Sequence, residues 1–277
     1  MNMQDFILNS LREDIGNGDH TSLACILPDH TSSAQLECRE RGVIAGIDVA
    51  EKIFKTLDAS LCFERKKADG DRLAPGDVAF YVEGISHSIL KAERLVLNCM
   101  QRMSGIATFT RKVLNELEGL HTKLLDTRKT TPGMRMLEKE AVRLGGGCNH
   151  RHGLYDMMMI KDNHIDCAGS IEKALKAALA YRQRNKLDIE IEIEARNLDE
   201  VKQIIRAEGA DRIMLDNFTI PETKAALKMI GGRIVTESSG CIGLHNVRQY
   251  AECGVDYISM GALTHSVKSL DLGLKTI

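Results

Sequence analysis

The sequence predicts an α/β protein in which a small mixed amino-terminal domain precedes an incomplete parallel α/β barrel of about six strands. Three observations carry this expectation. Beyond residue 120, apolar runs of strand length alternate with helical patterns, as a parallel sheet wrapped in helices requires. The last four strands begin about 21 to 23 residues apart, a regular unit length. The residues just past the strands are cations, carboxylates and glycines, the types that barrel enzymes gather at the carboxyl ends of their strands.

Composition narrows the function. With 277 residues, 43% of them hydrophobic, the chain can fill a sizeable core. Lys plus Arg (37) nearly balances Asp plus Glu (39), so no global field gathers nucleic acid or an anionic membrane. Tryptophan is absent and aromatics make up only 4%, which argues against a stacking surface for single strands. The eight cysteines contain no C-x-x-C pair and predict reduced thiols in the cytoplasm. Phe6 to Leu8 runs straight into Arg12, Glu13 and Asp14, which is not a signal peptide, and no run approaches the ~20 apolar residues of a membrane span. A cytoplasmic protein with small anionic ligands, and without nucleic-acid or membrane partners, is the expectation.

Taken in order, residues 1 to about 86 mix short strands with turn signals, and Asp48 to Leu57 reads as one helix. From Ser88 to about Leu117 the pattern is helical, with Ala92, Leu95, Val96, Cys99, Met103 and Ile106 on one face. Gly105 is expected to divide this stretch into two helices. Domains are accordingly drawn at 1–104 and 105–266, with a tail, 267–277, returning to the first. Strands are expected at 123–126, 157–160, 189–194, 212–215, 233–236 and 255–259. Ser170 and Asn197 are N-cap residues, Pro221 belongs in a first turn, and Gly209, Gly231 and Gly254 mark helix ends.

The stretch from Asp126 to His164 concentrates charge: Arg128, Lys129, Arg135, Lys139, Arg143, His150, Arg151, His152 and Lys161. Arg128 with Lys129, and then Lys161, follow strand-length runs and belong at strand ends; solvated surface charge is the alternative. Glu194, Asp216 with Asn217, Glu237 with Ser239 and Gly240, and Gly261 occupy the same position on later strands. In DIEIEIEA, isoleucines 189, 191 and 193 alternate with Glu190, Glu192 and Glu194. Helices covering the isoleucines would turn all three carboxylates inward, where they need partners, the upper ones meeting lysines or a metal; a solvated edge strand is the alternative. Glu194 and Asp216, ending successive strands, suit Mg2+, which takes one or two carboxylates with substrate oxygens. Cys148, His150 and His152 alternate in a way that could hold zinc, although Arg151 between them opposes a cation. The run Gly145 to Gly147 reads as a helix end and loop or as a phosphate cradle. No GxxxxGK[ST] or GxGxxG is present.

These motifs resemble the quinolinate phosphoribosyltransferases, also called nicotinate-nucleotide pyrophosphorylases (carboxylating). The matching stretches are EDIGNGDHTS, AERLVLNCMQRMSGIAT, DTRKTTPG, GGGCNHRHGLYDMMMIKDNH, EIEA, IMLDNF, ESSG and GVDYISMGALTHS, from Glu13 to Ser266. The resemblance implies an amino-terminal α/β sandwich followed by an incomplete α/β barrel, the type II phosphoribosyltransferase architecture. It implies a transferase that joins quinolinate to phosphoribosyl pyrophosphate with Mg2+ and releases pyrophosphate and CO2, giving nicotinate mononucleotide. It implies a quinolinate pocket of Arg102, Arg128, His150, Arg151 and Lys161, with Arg102 contributed across a homodimer interface. Lys129, Glu194 and Asp216 resemble the residues serving phosphoribosyl pyrophosphate and Mg2+, and Ser239, Gly240 and Gly261 resemble the loops around its 5′-phosphate. Lys129, Lys161, Glu194 and Asp216 are the expected catalytic set.

The residue types suit that chemistry. Planar guanidinium groups grip carboxylates through paired hydrogen bonds, which explains arginines in such a pocket. Loss of pyrophosphate from a ribose carbon develops negative charge that lysines and Mg2+ can stabilise. One departure stands out: the family usually has Ser-Gly-Gly-Ile where this chain has Ser239, Gly240, Cys241 and Ile242, which puts the phosphate contact in question. A related ModD-like transferase acting on another acid is the alternative activity. A barrel retained for binding alone and a zinc hydrolase built on Cys148, His150 and His152 are alternatives from other classes.

Overall fold

The computed structural model describes residues 2–277. The chain begins α1 (Met3–Ile15), α2 (His20–Cys25), β1 (Thr31–Cys38), β2 (Gly42–Val43), α3 (Ile47–Leu57), β3 (Cys62–Arg65), β4 (Arg72–Leu73), β5 (Val78–Ile85) and α4 (Ser86–Glu116). It continues β6 (Lys123–Leu125), α5 (Arg135–Leu144), β7 (Met158–Ile160), α6 (Asp162–Ala168), α7 (Ile171–Arg184), β8 (Ile191–Ala195) and α8 (Leu198–Ala207). It ends β9 (Arg212–Asp216), α9 (Ile220–Ile230), β10 (Val235–Ser239), α10 (Val247–Ala251), β11 (Tyr257–Ser259), α11 (Ala262–His265) and β12 (Leu272–Thr276). Two compact units result: one holds residues up to Arg111 with Thr130–Gly146 and Leu263–Ile277, the other Lys112–Lys129 with Gly147–Ala262.

The first unit is built on a four-stranded antiparallel sheet, β12-β1-β5-β3. Alternation along β1 buries Ala34, Leu36 and Cys38 on one face. Helix α3 buries Ile47, Val49, Ala50, Ile53 and Phe54, and the Phe54 ring meets those of Phe63 and Phe80 at 6.0 and 6.1 Å. The first turn of α3 has no capping side chain of its own; Asp69 supplies one, accepting the N–H groups of Gly46 (2.6 Å), Ile47 (2.9 Å) and Asp48 (3.2 Å). The final strand returns to this sheet, with Leu272 opposite Cys38 and Thr276 opposite Ala34.

Gly105 does not divide the long helical stretch, contrary to the sequence expectation. Helix α4 runs unbroken for 31 residues. A Cβ at Gly105 would lie 2.3 Å from the Lys268 carbonyl oxygen and 3.1 Å from Ser269 Cα. The glycine admits the returning chain against the helix, a gain in packing that outweighs its poor helix propensity. Helix α1 shows in the sequence chiefly as the short apolar run Phe6 to Leu8; its capping box, with Asn2 Oδ1 accepting the Asp5 N–H at 2.8 Å, is the signal that marks it.

The second unit is a six-stranded parallel sheet in the order β6-β11-β10-β9-β8-β7. Its first strand pairs with its last and its second strand lies at the far edge, the order of a barrel opened between strands one and two. An isolated parallel bridge from Leu125 to Cys148 touches that seam. Ile191, Ile193, Ile213 and Leu215 from the strands share one core with Leu175, Val201, Ile204 and Ala226 from the helices.

All six expected strands form, with their ends displaced by up to three residues. The run expected at 233–236 is β10, Val235–Ser239, because Arg233 is used to close α9: its guanidinium donates to the Ile230 and Met229 carbonyls at 2.8 and 2.6 Å. Ser170 and Asn197 cap α7 and α8 as expected, and Gly231 ends α9 in the left-handed region. Gly145 is the C-cap of α5, where an added Cβ would sit 2.6 Å from the Ala107 carbonyl oxygen. No helix among the described residues is long and apolar enough to cross a membrane.

Candidate active site

The pleat of β8 determines which carboxylates face inward. Ile191 and Ile193 join the core beneath the helices, so Glu192 and Glu194 point the other way. Glu192 is fully buried, while Glu194 at the carboxyl end keeps 12% of its side chain exposed. Lys161, directly after β7, places its Nζ in contact with Glu194 Oε1. Glu190 does not face the interior as expected. It precedes the first residue of β8, its side chain is 56% exposed, and it pairs with Arg212 at 3.2 Å.

The neighbouring strand ends form a continuous polar rim. Asp216 closes β9, and Asn217 donates its Nδ2 to Asp216 Oδ2 at 3.0 Å. Asn217 has φ 58°, and its backbone N–H reaches the Ser239 carbonyl at 2.9 Å, linking the ends of β9 and β10. Gly240 (φ +92°) packs against it so closely that a Cβ would lie 2.2 Å from Asn217 Oδ1. Cys241 follows at φ 51°, the left-handed region that a glycine would enter without strain. Arg128 and Lys129 are exposed beyond β6, and Gly261 follows β11. Asp126 anchors the segment carrying His150 and Arg151, accepting the His150 N–H at 2.9 Å and the Asn149 amide at 2.6 Å.

Below the rim, His150 lies on a buried charge cluster. Its Nε2 is 3.0 Å from Glu192 Oε2 and 3.5 Å from Glu237 Oε2. Arg212 Nη1 donates to Glu237 at 3.1 Å, and its guanidinium stacks on Tyr257 at 4.4 Å. Burial opposes a charged imidazole, but hydrogen bonds to Glu192 and Glu237 and their charges prevail and push His150 up to about 9. The Arg151 N–H, 2.7 Å from Nδ1, demands a bare nitrogen there and competes with that second proton. Burial, and then the charge of Glu237, push Glu192 up to about 7. Glu237 is desolvated as well, yet the hydrogen bond and charge of His150 outweigh this and hold it below the usual carboxylate range. Arg151 is lowered by burial and by neighbouring Arg128.

Among the described residues, the group with metal-ligand spacing is His150, Glu192 and Glu237, so Cys148 and His152 do not complete a zinc site with His150. Arg212 and the imidazole already balance the two carboxylates there. Arg102 lies in the other unit, on α4, where Glu138 accepts from Nε and Nη2 at 3.1 and 2.9 Å. Sequence reasoning gave no role to Asp126, Glu138, Arg212 or Glu237. Only the strand-end position of Glu237 was visible; Asp126 meets Asn149, Glu138 meets Arg102 and Arg212 meets Glu237 across 23, 36 and 25 positions of chain.

A parallel barrel whose strand ends combine cations, carboxylates and close-packed glycine turns defines an α/β-barrel enzyme for small, multiply anionic substrates. Comparison with known proteins makes the class specific. Residues 19–104 match the N-terminal domain of quinolinate phosphoribosyl transferase and residues 106–275 match its C-terminal domain. The chain is 46% identical to quinolinate phosphoribosyltransferase [decarboxylating] 2b, mitochondrial, of Nicotiana tabacum, over 96% of this chain and 80% of that protein. It is 45% identical to the probable nicotinate-nucleotide pyrophosphorylase [carboxylating] of Bacillus subtilis, over 95% and 89% of the two chains. The crystal structure of NadC from Streptococcus pyogenes superposes with a TM-score of 0.92 at 38% identity, covering 99% of this chain and 97% of that one. The chain belongs to the quinolinate phosphoribosyltransferase family.

Proposed function

We propose that this enzyme transfers the phosphoribosyl group of phosphoribosyl pyrophosphate to the ring nitrogen of quinolinate and releases pyrophosphate and CO2, forming nicotinate mononucleotide for NAD biosynthesis. The observation that carries this reading is the rim of the barrel, where Lys161 meets Glu194 and Asp216 joins the Ser239–Gly240 turn through Asn217. Arg128, Arg151 and Lys161, with His150 beneath, serve the two quinolinate carboxylates; guanidinium forks suit planar carboxylates, and each charge-assisted bond is worth about 1.5 to 3 kcal/mol. Lys129 and Lys161 stabilise charge developing on the departing pyrophosphate. Ser239, Gly240 and Gly261 accommodate the 5′-phosphate at the ends of β10 and β11. Alkylation makes the ring a pyridinium, whose positive nitrogen stabilises the electron pair left on the adjacent ring carbon as its bond to CO2 breaks. The carbon then takes a proton.

The donor set fits Mg2+. Lys161 occupies one oxygen of Glu194 and Asn217 one oxygen of Asp216, which leaves each carboxylate a second oxygen for the ion. Bound there with substrate oxygens, Mg2+ would supply charge stabilisation to the pyrophosphate. The proposed working form is a homodimer in which Arg102 serves the neighbouring subunit's quinolinate. A cytoplasmic location is proposed from the eight free cysteines.

Release of labelled CO2 from quinolinate carrying the label in its 2-carboxylate tests the reaction. Release should require both phosphoribosyl pyrophosphate and Mg2+; release without the former would place decarboxylation before ring alkylation and contradict the scheme. Cys241 gives a second test. Cys241→Gly should lower the KM for phosphoribosyl pyrophosphate about threefold, with stability changing by less than ~1 kcal/mol, because relief of left-handed strain is offset by the extra freedom of glycine in the unfolded chain. Initial rates against phosphoribosyl pyrophosphate read this, and an unchanged KM would remove Cys241 from the phosphate contact.

A further inference from the structure

Glu138 is fully buried near the start of α5, yet nothing in the proposed reaction uses it. Its Oε1 accepts from Arg102 Nε at 3.1 Å, Arg102 Nη2 at 2.9 Å and Thr131 Oγ1 at 2.8 Å; its Oε2 accepts the Thr131 N–H at 3.1 Å. Arg102 Nη2 also donates to the Thr264 carbonyl, and Nη1 makes a longer bond, 3.3 Å, to the Val267 carbonyl. Four of the five guanidinium N–H groups are therefore committed, and the remaining one is on Nη1. Arginine has many rotamers to lose on meeting a ligand, and a buried carboxylate holding two of its nitrogens removes most of that freedom beforehand.

We propose that Glu138 is a positioning residue for quinolinate: by fixing Nε and Nη2 of Arg102, it commits the Nη1 edge to the ligand carboxylate. This rests on the contact between Arg102 and quinolinate proposed above. An amide cannot replace the carboxylate. Four donors converge on Glu138, and the NH2 of a glutamine would face a donor on one side while the charge that attracts Arg102 is lost. Lysine at 102 fails for a different reason, having no fork to divide between Glu138 and a ligand.

A double-mutant cycle tests this with steady-state kinetics of the full-length enzyme. Glu138→Gln should raise the KM for quinolinate about 20-fold, with kcat and the KM for phosphoribosyl pyrophosphate changing less than about threefold. Arg102→Ala should raise it at least as much, and the double variant should match Arg102→Ala alone, because Glu138 acts only through Arg102. Multiplying effects would overturn the proposal, as would a wild-type KM in Glu138→Gln. A wild-type KM in Arg102→Ala would instead refute the contact on which it rests. Should Glu138→Gln fail to fold, Glu138→Asp carries the same cycle, since it keeps the charge but withdraws it from Arg102. Its expected result is a smaller rise in quinolinate KM that again vanishes in the Arg102→Ala background.

Discussion

Replacing Arg212 with methionine should lower stability by about 3 to 5 kcal/mol, the largest loss expected from any single change in the barrel interior. Arg212 is 8% exposed, and its guanidinium is 3.1 Å from Glu237, 3.2 Å from Glu190 and stacked on Tyr257. Glu237 and Glu192 are both fully buried, and the other group between them is the His150 imidazole, whose Nε2 is 3.0 Å from Glu192 and 3.5 Å from Glu237. Methionine fills a similar volume, so little of the loss comes from a cavity; most comes from leaving a buried carboxylate without its cation. Adding Glu237→Gln to Arg212→Met should therefore recover a substantial part, since removing both charges is far less costly than removing one. Urea denaturation reads both variants, with midpoints compared at unchanged m. The exposed pair Arg65–Glu51, at 46% and 31% side-chain exposure, provides the contrast: its loss should cost under ~1 kcal/mol. A comparably small loss at Arg212 would mean that Glu237 is not held by charge.

The same cluster shows where sequence reasoning reaches and where it stops. Period-two alternation in Ile189 to Glu194 correctly indicated that the strand buries carboxylates and that buried carboxylates need partners. The partners expected were lysines or a metal. Glu194 does meet Lys161, but Glu192 meets His150, 42 positions earlier in the chain, and shares its interior with Glu237 and Arg212. No local pattern encodes such a pairing, because it depends on the parallel register that sets Glu192 opposite Arg212. Glu190 was misplaced for a local reason, since β8 begins one residue after it. Gly105 illustrates the opposite error. Its propensity predicts a helix break, whereas its missing side chain serves a chain segment more than 160 residues away. The alternation of strands and helices, the capping residues and the charged strand ends were legible because each follows from nearby sequence.

Lys161→Met should lower kcat for nicotinate mononucleotide formation about 10^3-fold while changing stability by less than about 1 kcal/mol. The two magnitudes separate because the residue's partners differ between the resting and reacting states. At rest, Lys161 is 41% exposed and paired with Glu194, a geometry in which solvent screens most of the attraction. In the reaction proposed above, its ammonium would face the charge that grows on pyrophosphate as the bond to the ribose carbon breaks, where bound substrates in place of water would strengthen the attraction. A residue that bound only a quinolinate carboxylate would stabilise ground and transition states alike, and its loss would raise the KM for quinolinate and spare kcat. A fall in kcat with little change in either KM assigns Lys161 chiefly to the leaving group, whereas a rise in quinolinate KM at constant kcat assigns it to the acid. Glu194→Gln sharpens the distinction. It frees the lysine from its carboxylate but also removes a proposed Mg2+ ligand, so its own loss of kcat should diminish as Mg2+ is raised. Lys161→Met should show no such recovery, because no concentration of metal restores an ammonium fixed at the end of β7.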